Sequence, residues 1–167
     1  MSLRLVPMTL ATFRALASGD VGTAEEQIGA PLPTAFAEAI DIWRFMVRLV
    51  SEHPDNAGWA MQVVMTDGSV VGNAGFKGAP TNGQVEVGYR IVPEHRRRGL
   101  AVAALRTLLD QAVGSPEVTR VIARIDPGNQ PSVGVVTRAG FVADGEHLQP
   151  RWGRQLQFAY ATGAPPT

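Results

Sequence analysis

The chain has 167 residues, 45% of them apolar, and its fifteen basic and fifteen acidic side chains leave a formal net charge of zero. That length can bury a substantial core, and the balanced charge argues against a general binder of nucleic acid or of membrane surfaces. The absence of cysteine excludes disulfides, thiolate metal sites and cysteine nucleophiles.

Leu3 to Val6 predict a short strand that Pro7 ends. Thr9 is placed to cap a helix over LATFRALAS, closed by Gly19. Residues 19 to 33, GDVGTAEEQIGAPLP, read as a loop with room for one helical turn. Thr34 then caps a longer helix to Ser51. In it Phe36, Ile40, Trp43, Val47 and Val50 form one apolar stripe, and His53-Pro54 ends it.

Strands follow. Trp59 to Thr66 leads through Asp67-Gly68, a two-residue hairpin signal, into Val70 to Lys77. Gly78 to Gly83 reads as a second hairpin loop. The glycines of VGNAGFKG do not fit a dinucleotide fingerprint and no helix follows them, so they are read as strand positions crowded by neighbouring backbone.

The next stretch, VEVGYRIVPEHRRRGLA from Val85 to Ala101, organises the chain. Its strand puts Val85, Val87, Tyr89 and Ile91 on one face, and Glu86, Gly88 and Arg90 on the other. Pro93 stops it. The helix after Gly99 carries apolar residues at Leu100, Ala104, Leu105, Leu108, Leu109 and Ala112. No Ser, Thr, Asp or Asn caps its start, and Arg96, Arg97 and Arg98 add positive charge where the helix dipole is already positive. An anion held by the free N–H groups resolves both problems, and Gly99 lets it approach the backbone. A tight turn beside a solvated basic patch is the alternative.

Beyond that helix, Gly114-Ser-Pro is a turn and Val118 to Ile125 a buried strand. Asn129 is predicted to cap a helix through Arg138, with Pro131 in its first turn and Gly140 at its end. Phe141 to His147 and Arg154 to Ala161 are the last two strands, joined by a loop from Gln149 to Gly153. Residues 162 to 167 read as a frayed tail. The order predicts one α/β (α+β) domain over residues 1–167. No apolar run approaches the ~20 residues of a membrane span and MSLRLVPMT lacks a signal-peptide core, so a cytoplasmic protein is expected.

The spacing Arg96-x-x-Gly99-x-Ala101, after a Glu-x-Gly-Tyr strand and before an amphipathic helix, resembles the acyl-CoA pyrophosphate motif of the GNAT superfamily of N-acetyltransferases. The resemblance covers residues 3 to 161 and implies the GNAT fold, a mixed, mostly antiparallel central sheet flanked by helices. Asn129-x-x-Ser132 followed by Gly140-Phe141, together with Gly75-Phe76-Lys77-Gly78, is similar to the branch of RimJ/RimL type.

Acetyl transfer from a thioester to an amine needs an anchored donor, a neutral amine, a stabilised oxyanion and a protonated leaving thiolate. The resemblance implies acetyl-CoA as donor, with its pyrophosphate on the backbone of Arg97, Gly99, Leu100 and Ala101 and on the side chains of Arg96 and Arg98. It implies that the pantetheine arm pairs with Ile91 and Val92, where a backbone amide serves the oxyanion. Asn129 is either a pantetheine contact or simply a cap. Glu86 is the candidate base, with Gly88 leaving space beside it; the alternative is a solvated carboxylate or a partner for Arg90. Many family members carry a tyrosine as general acid where this chain has Val136. That departure shifts attention to Ser132, which is otherwise a first-turn cap of its own helix.

The expected reaction is direct attack of a primary amine in a ternary complex, the acceptor being a protein N-terminus or a small amine. A non-catalytic acyl-CoA-binding or regulatory module on the same fold is the competing class. No metal, nucleic acid or membrane is expected as a partner; a homodimer is compatible with the sequence. The segment from Gly19 to Pro33 and the loop around Trp152 are expected to border the amine site, as the irregular stretches least explained by packing.

Overall fold

The structure is a computed structural model that describes residues 2–163. Strands β1 (Leu3–Pro7), β2 (Met61–Thr66), β3 (Ser69–Phe76), β4 (Gln84–Ile91), β5 (Arg120–Ile125), β6 (Val142–Gln149) and β7 (Gly153–Ala161) form one sheet in the order β1-β2-β3-β4-β5-β7-β6. Every neighbouring pair is antiparallel except β4 and β5. Helices α1 (Leu10–Ala17), α2 (Val21–Ile28), α3 (Thr34–Glu38), α4 (Ile40–Glu52), α5 (Leu100–Val113) and α6 (Gln130–Arg138) flank it. This is the mixed, mostly antiparallel sheet flanked by helices that the resemblance implies.

Two cores lie on opposite faces. On one, Phe13, Leu16, Phe36, Trp43 and Met46 from α1, α3 and α4 pack on Met61, Val63, Met65 and Val70. The Trp43 ring stacks on Phe36 at 5.4 Å, and its indole N–H donates to the Phe36 carbonyl at 2.6 Å. On the other face, Leu100, Ala104, Leu105, Leu108, Leu109 and Ala112 of α5 are all buried against Val64, Val71, Val85, Val87 and Val121. The glycines of β3 sit where backbone crosses closely. A Cβ on Gly72 would strike the Arg90 carbonyl, and one on Gly75 the Ala60 carbonyl and Met61 Cα.

Several expectations need correction. Residues 19 to 33 contain a full helix, α2. Asp20 caps it by accepting from Thr23 N–H at 3.2 Å, and Gly29 closes it in the left-handed region at φ 82°. Its Ala24 is fully buried, and Gln27 accepts a 2.7 Å bond from the Thr12 hydroxyl, so packing on α1 explains the segment. The predicted Thr34–Ser51 helix breaks at Ala39 (φ −87°, ψ 35°), and Pro33 rather than Thr34 stands at the cap. The buried stripe runs through Phe36, Trp43, Met46 and Val50, with Ile40 and Val47 only half-buried.

Trp59 belongs to a 3₁₀ turn over Pro54–Trp59, not to a strand. Asn56 pins that turn, donating to the Leu49 carbonyl at 2.9 Å and accepting from Ala79 N–H at 2.8 Å. The β6–β7 connection is a tight turn, because β6 extends to Gln149 and β7 begins at Gly153. Thr162 is not frayed: its N–H donates to the Thr119 carbonyl at 3.1 Å and its hydroxyl to the Val118 carbonyl at 2.8 Å. The rest of the predicted tail, residues 164 to 167, lies outside the described residues. No helix among the described residues is long and apolar enough to cross a membrane.

Candidate active site

The parallel β4–β5 ladder is short. It pairs Gln84 with Arg120, Val85 with Val121 and Glu86 with Ile122, and then the two strands part. On its other edge β4 stays paired with β3 as far as Gly72↔Ile91. Val92 N–H donates to the Val71 carbonyl and Lys77 N–H to the Glu86 carbonyl, both at 2.9 Å. The alternation of an antiparallel ladder therefore aims the backbone groups of Tyr89 and Ile91 into the gap.

Above the gap the chain turns through Pro93–His95 and Arg96–Arg98 into α5. Gly99 holds the N-cap at φ 73°, with no side-chain cap and no acid in the first turn. The first bond within the helix runs from Ala103 N–H to the Gly99 carbonyl, so the N–H groups of Leu100, Ala101 and Val102 lack helical partners. Arg97 also has positive φ, 62°, a strained state for a residue with a Cβ. Two left-handed residues before an uncapped helix are a backbone arrangement whose N–H groups suit an anion. A Cβ on Gly99 would meet no protein atom within 4 Å, so the space over this turn is open. Arg96, Arg97, Arg98 and Gly99 are exposed while Leu100 is buried. His95 Nδ1, buried in the same turn, has no partner among the described residues.

The predicted anchoring residues differ in what they have left to offer. Arg96 ties the turn to the strand, its Nε donating to the Ile91 carbonyl at 2.9 Å. Val92 is used on both sides, because its carbonyl accepts from His95 N–H at 3.0 Å as well. The Ile91 N–H remains directed into the gap. Asn129 caps α6, its Oδ1 accepting from Ser132 N–H at 3.3 Å. Capping is thus done by Asn129, and the Ser132 hydroxyl takes no part in it. Val136 is fully buried in the core.

Glu86 lies where the ladder ends, on the face opposite α5. Its side chain is 19% exposed, and its oxygens are divided between Lys77 Nζ at 2.8 Å and Arg124 Nη1 at 3.2 Å. Arg90 is not its partner. Nor is the room beside Gly88 empty: a Cβ there would meet the Met61 methyl at 2.9 Å and Lys77 Cε at 3.4 Å. Glu86, Lys77, Arg124, Gln84 and Ile122 line a cavity of about 370 Å³ that reaches the Gly78–Gln84 hairpin. Beyond it Arg124 Nε donates to Gln157 at 3.2 Å, Gln157 to Asp144 at 2.8 Å, and Arg120 pairs with Asp144. A polar network thus crosses β4, β5, β7 and β6 on this face. Among the described residues no cluster of His, Asp or Glu could hold a metal ion.

Three residues escaped the sequence reading. Lys77 and Arg124 could have been suspected: Arg120, Ile122 and Arg124 alternate with Val121, Ala123 and Ile125, which gives an otherwise buried strand a charged face. Tyr89 is the third. It is the one phenol on the Val85–Ile91 apolar face, and a half-buried phenol needs a partner for its hydroxyl. It spans from β4 to α6 and donates to the Ser132 carbonyl at 3.2 Å. Burial pushes its pKa above the ordinary phenol value, against a smaller opposite pull from the bond to Ser132. The predicted acceptor walls are placed apart in character: α2 is packed helix, whereas Trp152 is 61% exposed, with the Arg151 guanidinium 4.8 Å over its ring.

Residues 2–142 match the model of a family described as the Acetyltransferase (GNAT) domain. The chain is 35% identical over 74 residues to the uncharacterized N-acetyltransferase YjdG of Bacillus subtilis (strain 168), a stretch that is 44% of each protein. It is 30% identical over 84 residues to the uncharacterized N-acetyltransferase p20 of Bacillus licheniformis, covering 50% of this chain and 47% of that one. The matched stretches span about half the length of these relatives. Among solved structures, the aminoglycoside acetyltransferase AAC(6')-Ib in complex with coenzyme A aligns at TM-score 0.68 and 19% identity over 98% of this chain and 96% of that one. RimL, a ribosomal L7/L12 alpha-N-protein acetyltransferase in complex with coenzyme A, aligns at 0.68 and 16% over 99% and 97%. Likeness at such identities establishes the fold.

Proposed function

The chain belongs to the GNAT acetyltransferase family, and from that membership we propose that it is an acetyl-CoA-dependent N-acetyltransferase acting on a primary amine by direct attack in a ternary complex. The observation that carries this reading is the parting of β4 from β5 beyond Glu86↔Ile122, below an uncapped helix start that bears three guanidinium groups. The groups present fit a CoA-type ligand: free N–H donors and cations suit a pyrophosphate, and an unpaired strand edge suits the amides of pantetheine. Bound there, acetyl-CoA supplies a thioester whose acyl carbon is open to a neutral amine.

In this reading Arg97, Arg98, the outer nitrogens of Arg96 and the amides from Gly99 to Ala101 hold the phosphates. The backbone of Tyr89 and Ile91 orients the arm, while Val92, with both its polar groups engaged, contributes packing. Glu86 removes the ammonium proton, directly or through water, after the ammonium takes the place of Lys77 or Arg124 at one of its oxygens. The Ser132 hydroxyl protonates the departing thiolate. The branch of RimJ/RimL type remains our placement within the family, on Gly75–Gly78 and on Asn129, Ser132 and Gly140-Phe141. The acceptor is a protein N-terminus or a small amine. The full engagement of the Glu86 oxygens favours a second reading, an acyl-CoA-binding module without turnover.

The test is calorimetric titration with CoA beside a thiol-release assay of acetyl-CoA against amines and N-terminal peptides. Gly99→Ala should weaken CoA roughly tenfold or more, because its methyl enters the space left for the anion. The left-handed φ costs about 1–2 kcal/mol as well, which a denaturant melt separates from the binding loss. Unchanged CoA affinity in the folded variant would defeat the phosphate assignment. CoA binding with no amine consumed would establish the second reading.

A further inference from the structure

The cavity around Glu86 carries two cations against one carboxylate: Lys77 and Arg124 share its oxygens, and among the described residues no other acid lines the cavity. The surplus is not neutralised from behind. Arg124 spends its Nε on the neutral Gln157 amide, and Asp144, the nearest acid in the network, pairs with Arg120. Among the described residues Glu86 is the single hydrogen-bond partner of Lys77 Nζ and Arg124 Nη2 has none, so both side chains, which line the cavity, keep donors free for a ligand. With side chains 38% and 23% exposed, both can reach a ligand without leaving the wall.

An acceptor must bring its ammonium to Glu86. If that ammonium is its only charged group, the cavity then holds three cations and one anion. Polycations make the mismatch worse. An acceptor with its own carboxylate a few bonds from the amine adds no net charge and leaves three cations against two anions, since the ammonium pairs with Glu86 while the carboxylate takes the donors that Lys77 and Arg124 give up. We propose that the acceptor is a zwitterionic amine of amino-acid type, its carboxylate bound by Lys77 and Arg124, and that the cavity selects against polyamines and aminoglycosides. The inference rests on the acetyl-transfer reading and narrows it.

The experiment compares kcat/KM for acetyl-CoA-dependent acetylation of each of a panel of amino acids, its amide and its decarboxylated amine, with spermidine and kanamycin alongside. For the best amino acid, kcat/KM should exceed that of its amide by roughly 10- to 100-fold, the scale of hydrogen bonds to a charged group. The bias of the chemistry runs the other way, because an α-amino group beside an amide loses its proton more readily. Lys77→Met should shrink this ratio by raising KM for the amino acid more than for the amide. Calorimetry on the CoA-bound protein should show the same preference without turnover. Acidic N-terminal dipeptides form a separate arm; if they outrun every free amino acid, the proposal fails in favour of a peptide. Equal rates for amino acid and amide, or faster reaction of spermidine or kanamycin, overturn this inference and leave acetyl transfer standing. No turnover with any amine overturns both.

Discussion

The two halves of the sheet are built on different terms. Strands β2 and β3 are buried along nearly their whole length, with α1, α3 and α4 on one face and α5 on the other. Strands β4 and β5 are covered by α5 and α6 on one face alone, and β6 at the sheet edge is exposed along most of its length. On the other face this half presents Gln84, Glu86, Arg120, Arg124, Asp144 and Gln157, and β4 and β5 separate. The first half has little freedom: its polar residues Gln62, Thr66 and Asn73 are buried, and a Cβ on Gly75 would strike the Ala60–Met61 backbone. The second half keeps charges at the surface, paired but displaceable, around an opening. Stability is concentrated in the doubly covered half and chemistry in the half left open, since a ligand can replace a side-chain partner but cannot enter a close-packed core.

The sharpest way to break this contrast is a substitution in each half. Gly75→Val should cost at least ~3 kcal/mol or prevent folding, because its side chain has only the Ala60–Met61 backbone to displace. A denaturant melt measures it, and a nearly neutral outcome would show that β2 and β3 are not the rigid half. Glu86→Gln should behave in the opposite way, losing turnover by roughly 10²-fold or more while the fold survives. The deficit should shrink at high pH, where the amine is already neutral. Ser132→Ala should depress the rate less, without such rescue, because raising the pH supplies no acid. Parental turnover of the Gln variant with the true acceptor at neutral pH would remove Glu86 from the mechanism.

A smaller effect probes the seam between the halves, where Tyr89 reaches from β4 to α6. Tyr89→Phe should cost about 1 kcal/mol through the lost bond to the Ser132 carbonyl. The pH dependence has a defined sign. The folded-state pKa of this phenol lies above its unfolded value, so the stability held by its neutral form is intact below about pH 10 and is lost as pH rises through the folded value. The Phe variant should lack that alkaline component. Melts at pH 8 and above pH 10 on both proteins test it, and identical alkaline losses would show that Tyr89 does not titrate in the folded range.

Much of this architecture could be read in the chain because it depends on near neighbours. The α5 positions Leu100, Ala104, Leu105, Leu108, Leu109 and Ala112 are all buried, as their period requires. Asn129 caps α6, Asp67-Gly68 turns a hairpin, and α5 begins uncapped behind a left-handed glycine. The α2 cap at Asp20 and its closing Gly29 are equally local, but they lie within a glycine- and proline-rich composition that reads as loop.

What the sequence determined by itself was therefore the local grammar: helix periods, caps, turns, and the arginine-bearing strand-to-helix junction that resembles an acyl-CoA site. Tertiary structure decided which groups meet. It placed β7 between β5 and β6, parted β4 from β5, gave Glu86 to Lys77 and Arg124 rather than Arg90, and filled the room beside Gly88 with the Met61 methyl. It also engaged Val92 on both sides and joined Tyr89 to Ser132. The physical reason is range. A cap or a helical stripe is settled within one or two turns of chain. The partner of a strand side chain depends on strand order and register, which are set by the packing of the whole molecule.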